Sequence, residues 1–290
     1  MRKMVLSLVS VAALALAGCQ GSSSEQAANG GPANAESAPA VSIPSEVSGT
    51  ISLRAGSPQP SDKATLVLNL VDVSSTAVGS APLATRTSPA GSFPQPFKLT
   101  FNPADVKPND LYVVQAILTD GERQYVMPIQ APVLAKGSKN DAVSIQLLAE
   151  QTPGEKLLAA FDDVQKQLGA MKVNHGTKLE KDASRGWQLF RQDGQIQFIR
   201  ELVEYTKDGF TSTDYAYRDG KPWAIVQQHM ASRDGKPTSI DRAGWSDDGT
   251  LVLKQHQVGS NVQPLDPAEA AKLKQEAMAI LSLATNGKNK

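Results

Sequence analysis

DGQIQFIRELVEYTKDGFTSTDYAYRDGKPW, residues 193–223, indicates most clearly how the second half of the chain folds. Polar and apolar residues alternate within it, which is typical of β-strands, and Asp-Gly pairs separate the alternating runs. Because Asp-Gly favours the positive-φ hairpin turn, each run is expected to pair antiparallel with the next. Asp-Gly recurs on both sides of this stretch, which predicts an antiparallel meander of about six strands: Trp187–Arg191, Ile196–Tyr205, Thr211–Tyr217, Trp223–Ala231, Ser239–Trp245 and Thr250–Gln257.

Two predicted helices flank this meander. The first begins at Thr152-Pro153-Gly154-Glu155, where Thr at the N-cap, Pro at N1 and Glu at N3 form a capping box, and its apolar stripe continues to near Gly169. The second begins in the same way at Asp266-Pro267-Ala268-Glu269 and carries apolar residues as far as Ala284. The sequence therefore predicts an α+β domain over residues 152–290, in the order helix, meander, helix.

Residues 45–149 predict a different, all-β domain. Val47, Gly49, Ile51 and Leu53 alternate with polar residues, turn-forming Gly, Pro, Asn and Asp separate such runs, and no segment carries a helical stripe. Seven or so short strands in a segment of this length indicate an antiparallel β-sandwich. The predicted fold class is mainly β, with two domains.

The N-terminal sequence predicts that the protein is located in the cell envelope. Residues 1–18 combine a basic start with an uncharged apolar run, which is too short to cross the ~30 Å hydrocarbon core as a helix, so a cleaved signal peptide is favoured. The run ends in Leu16-Ala17-Gly18-Cys19, which matches the bacterial lipobox, where the cysteine is acylated and becomes the first mature residue. An ordinary secretory signal with an incidental cysteine is the alternative.

The segment that follows is expected to be a tether. Residues 19–44 are rich in Gly, Ser, Ala, Asn and Pro, a composition that buries too little apolar surface to offset the entropy of ordering. By resemblance to other lipoproteins, Gln20 is not the aspartate that retains a lipoprotein in the inner membrane, so the periplasmic face of the outer membrane of a Gram-negative bacterium is favoured. The acyl chains would be the membrane contact.

Composition and missing motifs exclude several classes of function. The 29 basic and 29 acidic residues give no positive surplus for nucleic acid, and the single cysteine allows neither an intrachain disulfide nor a cysteine-based metal cluster. The chain contains no nucleophile elbow, phosphate loop, dinucleotide fingerprint or zinc-protease motif. We therefore expect no catalytic residue, no metal and no cofactor.

Two features of the meander remain candidates for a site. His229 and His256 would face each other if their strands pair, and Asp241 lies on the strand between them, which is a minimal acid–base or metal-binding set. The alternative, which is favoured, is that these are half-exposed residues on a polar sheet face. The meander also holds most of the aromatic residues, which form either a ligand groove or the core under the helices.

The first domain resembles the YbaY/YscW family of small β-sandwich lipoproteins over about residues 45–149. Residues that carry the resemblance fall in the family's order: Gly49, Leu70-Val71-Asp72-Val73-Ser74, Gly91, Pro94–Phe101, Tyr112 and Ala116-Ile117. The YscW branch resembles pilotins, which bind a C-terminal segment of a secretin and guide it to the outer membrane. The resemblance implies no catalytic residues, and it assigns a defined role only to Cys19. It does not extend to the C-terminal region.

These observations favour a non-catalytic binding or chaperone lipoprotein of the outer membrane, with an envelope protein or secretin-like partner. A structural lipoprotein that braces the cell envelope is the first alternative. An envelope enzyme that uses His229, Asp241 and His256 is the second.

Overall fold

The computed structural model describes residues 43–74, 81–207 and 209–286, which form two β-sheets and two α-helices. The predicted signal peptide, the lipobox with Cys19 and nearly all of the predicted tether lie outside the described residues. The first sheet contains, within the described ranges, eight strands: β1 (Glu46–Leu53), β2 (Thr65–Asp72), β3 (Ala84–Pro89), β4 (Gln95–Thr100), β5 (Tyr112–Asp120), β6 (Arg123–Val126), β7 (Ala131–Val133) and β8 (Val143–Ala149).

The first sheet curls into a nearly closed barrel. Its strand order is β3-β2-β5-β6-β8-β1-β4, with β7 also paired to β5, and Arg86 Nη1 on β3 donates to the Lys98 carbonyl on β4 at 3.1 Å. All pairs are antiparallel except β1 with β8, which the sequence did not predict. Gly49 on β1 permits this pairing, because a Cβ there would lie 1.9 Å from the Val143 oxygen. Apolar side chains fill the interior.

The second sheet is the predicted meander. Its strands are β9 (Lys172–Leu179), β10 (Ala183–Gln192), β11 (Gln195–Tyr205), β12 (Gly209–Arg218), β13 (Lys221–Met230), β14 (Pro237–Trp245), β15 (Leu251–Val258) and β16 (Asn261–Pro264). They pair in sequence order and antiparallel throughout. Asp193-Gly194 and Asp219-Gly220 adopt positive φ at both residues, as expected of Asp-Gly hairpins. The sequence did not predict the two edge strands, β9 and β16.

The two helices cover opposite faces of this sheet. Helix α1 (Pro153–Gln167) packs Phe161 on Phe198 and Trp223, with ring centroids 5.6 and 6.3 Å apart, and a 3-10 turn at Leu168–Ala170 follows it. Helix α2 (Pro267–Thr285) packs on the other face, where Tyr217 donates to the Ala277 carbonyl at 2.7 Å. This arrangement confirms the predicted helix–meander–helix domain fold. The division of the chain into domains at residues 45–149 and 152–290 stays a prediction.

Helix α1 also joins the second sheet to the first. Thr152 accepts from the Glu155 N–H at 3.2 Å and Glu155 Oε2 accepts from the Thr152 N–H at 2.9 Å, so the predicted capping box is present. Both oxygens of the Glu155 carboxylate also accept from Arg123 on β6, at 3.0 and 2.5 Å. Hydrogen bonds from Arg123 hold the pKa of Glu155 below its usual range. One carboxylate therefore caps the helix and binds the first sheet.

The variant Glu155→Gln tests this junction, because the Gln oxygen can still accept from the Thr152 N–H, while the negative charge and one of the two acceptors for Arg123 are lost. The folded pKa of Glu155 is lowered, so its stabilisation is complete above the ordinary Glu pKa and disappears as pH falls through the lowered value. We expect the variant to be about 1 kcal/mol less stable at neutral pH, with a difference that shrinks below about pH 4. Thermal unfolding of both proteins across this pH range measures it.

The matched control is Glu122→Gln, because Glu122 pairs with Lys254 at 3.1 Å in a more exposed setting. We expect almost no change in melting temperature for this control. Equal effects of the two substitutions, or an effect of Glu155→Gln that does not depend on pH, would contradict the assigned role of Glu155.

Candidate functional site

The outward face of β5 in the first sheet exposes apolar surface. β6 ends at Val126, and Pro128, which has no N–H to donate, follows shortly before β7 begins. Opposite this interruption the Ala116 N–H donates to the Met127 sulfur at 2.9 Å, which is a weak acceptor compared with a carbonyl. Ile117 and Ile129 are 43% and 79% exposed. A shallow cleft of about 220 Å³ lies here, lined by Val114, Gln115, Ala116, Ile117, Val126, Met127 and Gln130.

The three polar residues predicted as a candidate site in the meander do converge. His256 Nδ1 lies 2.5 Å from Asp241 Oδ1, and His229 Nε2 lies 3.6 Å from Asp241 Oδ2. The register explains this, since Asp241 pairs directly with His256, and His229 lies on the neighbouring strand β13. Both imidazoles are partly exposed. The set stays a candidate polar site, and the favoured interpretation is still that these are half-exposed residues on a polar sheet face.

The geometry of the described residues offers no group of three or more His, Cys, Asp or Glu side chains that is arranged to hold a metal ion. Within the described part of the chain, no helix is both long and apolar enough to span a bilayer. Neither finding bears on the lipid anchor predicted at Cys19, which lies outside these residues.

The aromatic residues of the meander serve mainly as core. Phe190, Phe198, Tyr215, Tyr217 and Trp245 are buried, and they divide between the α1 and α2 faces. The interpretation as core under the helices is therefore correct for these five residues. The other aromatic residues of the meander are partly or more fully exposed: Trp187, Tyr205, Phe210 and Trp223.

A buried carboxylate, Glu201, was not singled out from the sequence. Its side chain is 3% exposed, it forms an ion pair with Arg185, and it accepts from the Tyr215 hydroxyl at 2.8 Å. Burial is the largest single influence and lowers the pKa of the Arg185 guanidinium, but the charge and hydrogen bond of Glu201, together with the charge of Glu180, raise this pKa overall. Burial, together with the adjacent carboxylate, also raises the pKa of Tyr215 well above its usual value. Glu201 alternates along β11 with Ile199, which packs under α2, so both side chains lie on the α2 face of the sheet.

Comparison with protein-family models gives one match for each half of the chain. Residues 43–147 match the type III secretion system lipoprotein chaperone family (YscW), which confirms the resemblance seen in the sequence. Residues 175–290 match a family described as a protein of unknown function (DUF1481). No curated protein gives a significant match.

One similar solved structure is an alternative pilotin from the type II secretion system of Vibrio cholerae. The two chains are 18% identical, and the match covers 37% of this chain and 96% of the pilotin, with a TM-score of 0.33. At that TM-score the likeness adds nothing to the fold described above.

The buried pair of Arg185 and Glu201 leads to a stability prediction. Replacing Arg185 by Met leaves the Glu201 carboxylate buried without its cation, and we expect a loss of about 3 kcal/mol in the free energy of unfolding. In the double variant Arg185→Met, Glu201→Gln, the amide still accepts from Tyr215 and no charge is buried. We therefore expect the double variant to recover most of the loss, as measured by urea denaturation.

The control is Arg233→Met on the same sheet, because Arg233 pairs with Glu204 at 2.9 Å and both side chains are largely exposed. Its expected cost is below about 1 kcal/mol. A loss for Arg185→Met no larger than that of the control would show that the Glu201 charge is not held in a low-dielectric site.

Proposed function

We propose that this chain is a non-catalytic lipoprotein of the bacterial cell envelope that binds an outer-membrane protein as a chaperone, with a secretin-type protein as the partner. The main support for this proposal is the match of residues 43–147 to a lipoprotein chaperone family. The matched range spans nearly all of the first sheet, so the likeness to that family concerns the whole sheet. The lipobox ending in Cys19 supports a membrane anchor, and the composition of residues 19–44 supports a flexible connection to it.

The outward face of β5 is the surface on which we place the partner. Contact of the exposed Ile117 side chain with an apolar segment of the partner is favourable, because it removes apolar surface from water. The Ala116 N–H donates only to the weakly accepting Met127 sulfur, so a polar group of the partner that displaced Met127 would give it a better acceptor. The partner is therefore expected to present a short amphipathic segment with apolar anchors.

Membrane attachment through Cys19 predicts a change of location when the thiol is removed. In the variant Cys19→Ser no thioether to a lipid forms, and we expect the protein to move from the membrane fraction to the soluble periplasmic fraction. Fractionation of cells that express each form, followed by immunoblotting, measures this. Ser24→Ala, also in the predicted tether, is the control and should stay in the membrane fraction. Retention of Cys19→Ser in the outer membrane would contradict lipid anchoring.

Partner binding by the β5 face predicts that a charge at its centre weakens the complex. The variant Ile117→Asp adds a charged group to an exposed site, so the fold is retained, while burial of the carboxylate against an apolar partner is unfavourable. We expect recovery of outer-membrane protein after crosslinking and affinity purification to fall about tenfold or more. Quantitative mass spectrometry of the purified material measures it.

The control is Leu179→Asp, because Leu179 is 84% exposed on the edge strand β9 of the second sheet. We expect this control to recover the same proteins as the unchanged chain. If Leu179→Asp loses the partner and Ile117→Asp does not, binding lies on the second sheet and the proposed surface is wrong.

A further inference from the structure

A row of polar side chains crosses the α2 face of the second sheet from strand to strand. The register pairs Glu201 with Thr213, Thr213 with Gln227, Gln227 with Asp241, and Asp241 with His256. The adjacent row on the same face is apolar and lies in the core under α2: Ile199, Tyr215, Ile225 and Ala243. Along one flank of α2 the side chains of this face therefore change from apolar to polar.

A cleft of about 250 Å³ lies between this flank of α2 and the Glu201 end of the polar row. Glu201 and Thr213 are buried in the sheet at this point, and Ala279, Ile280 and Leu283 of α2 also line the cleft. The cleft is smaller than the roughly 300–1,000 Å³ pockets of drug-sized ligands, so it fits a small molecule. It thus combines a polar side formed by the sheet with an apolar side formed by the helix.

The charges that line the cleft do not balance. Three carboxylates, those of Glu180, Glu201 and Glu276, are present with two cations, Lys178 and Arg185. Lys178 pairs with Glu180 at 3.1 Å, and Arg185 pairs with Glu201. The Glu276 carboxylate accepts from Gln227 Nε2 at 3.3 Å, and no Lys or Arg within the described ranges lies at ion-pair distance from it. One positive charge is missing from the cleft.

We propose that this cleft binds a small organic ammonium ion that carries a short apolar chain. The ammonium group supplies the missing charge beside Glu276 and donates hydrogen bonds to carboxylate and amide oxygens, which are the acceptors that this cleft offers. The apolar chain lies against Ala279, Ile280 and Leu283 of α2. The site lies on the second sheet, so it is independent of partner binding by the first sheet.

The test uses the full-length protein and three probes with the same five-carbon chain: pentylammonium, pentanol and valerate. Titrations followed by ¹⁵N and methyl NMR are expected to shift the signals of the Gln227 side-chain amide, Thr213 and Ile280 with pentylammonium, and not with the neutral or anionic probe. Glu276→Gln is expected to weaken pentylammonium binding about tenfold, since it removes the unbalanced charge from a cleft partly shielded from solvent.

The matched control is Glu269→Gln on the same helix, because Glu269 is exposed and lies 3.6 Å from Lys272. It is expected to leave the affinity for pentylammonium unchanged, and the thermal unfolding of both variants confirms that each is folded. The proposal is overturned if pentanol binds as tightly as pentylammonium, if Glu276→Gln has no effect, if the shifted signals lie elsewhere, or if no saturable binding occurs by about 10 mM.

Discussion

Both faces of the second sheet carry a cluster of large apolar side chains, and each cluster must be covered if the sheet is to be stable in water. Helix α1, which precedes the meander, covers one face through Phe161, and helix α2, which follows it, covers the other around Ala277. The domain therefore needs both helices. One precedes the meander in the sequence and the other follows it, and they lie on opposite faces of the sheet. The same constraint makes the large aromatic residues core residues rather than a ligand groove. The polar row that begins at Glu201 runs along one flank of α2, where Gln227 donates to Glu276 of the helix.

The sequence predicted those parts of the fold that local chemistry determines. Asp193-Gly194 and Asp219-Gly220 specify hairpins through their positive φ, and Thr152 with Glu155 specifies the start of α1. Strand β9 was missed because, as an edge strand, it exposes nearly all of its side chains and shows no alternation. The parallel pairing of β1 with β8 was missed because it joins the first and last strands of the sheet, and no local pattern encodes such a contact.

The candidate sites also divide into features that the local sequence determines and features that depend on distant contacts. The meeting of His229, Asp241 and His256 could be predicted, since turn spacing sets the register of neighbouring strands and alternation sets the face. The cleft beside Glu201 could not be predicted, because it depends on the position of α2 and on an ion pair with Arg185 across two strands. The exposed face of β5 depends on the interruption between β6 and β7, for which Pro128 was the only signal in the sequence.

We propose that the first sheet binds an outer-membrane partner through the face that contains Ile117. Site-specific photo-crosslinking in intact cells tests it most directly, with a photoreactive residue placed at Ile117 in the full-length protein and, separately, at Leu179 on the second sheet. We expect a discrete adduct with one outer-membrane protein from position 117 and none from position 179. Adducts from position 179 alone, or from neither position, would contradict it.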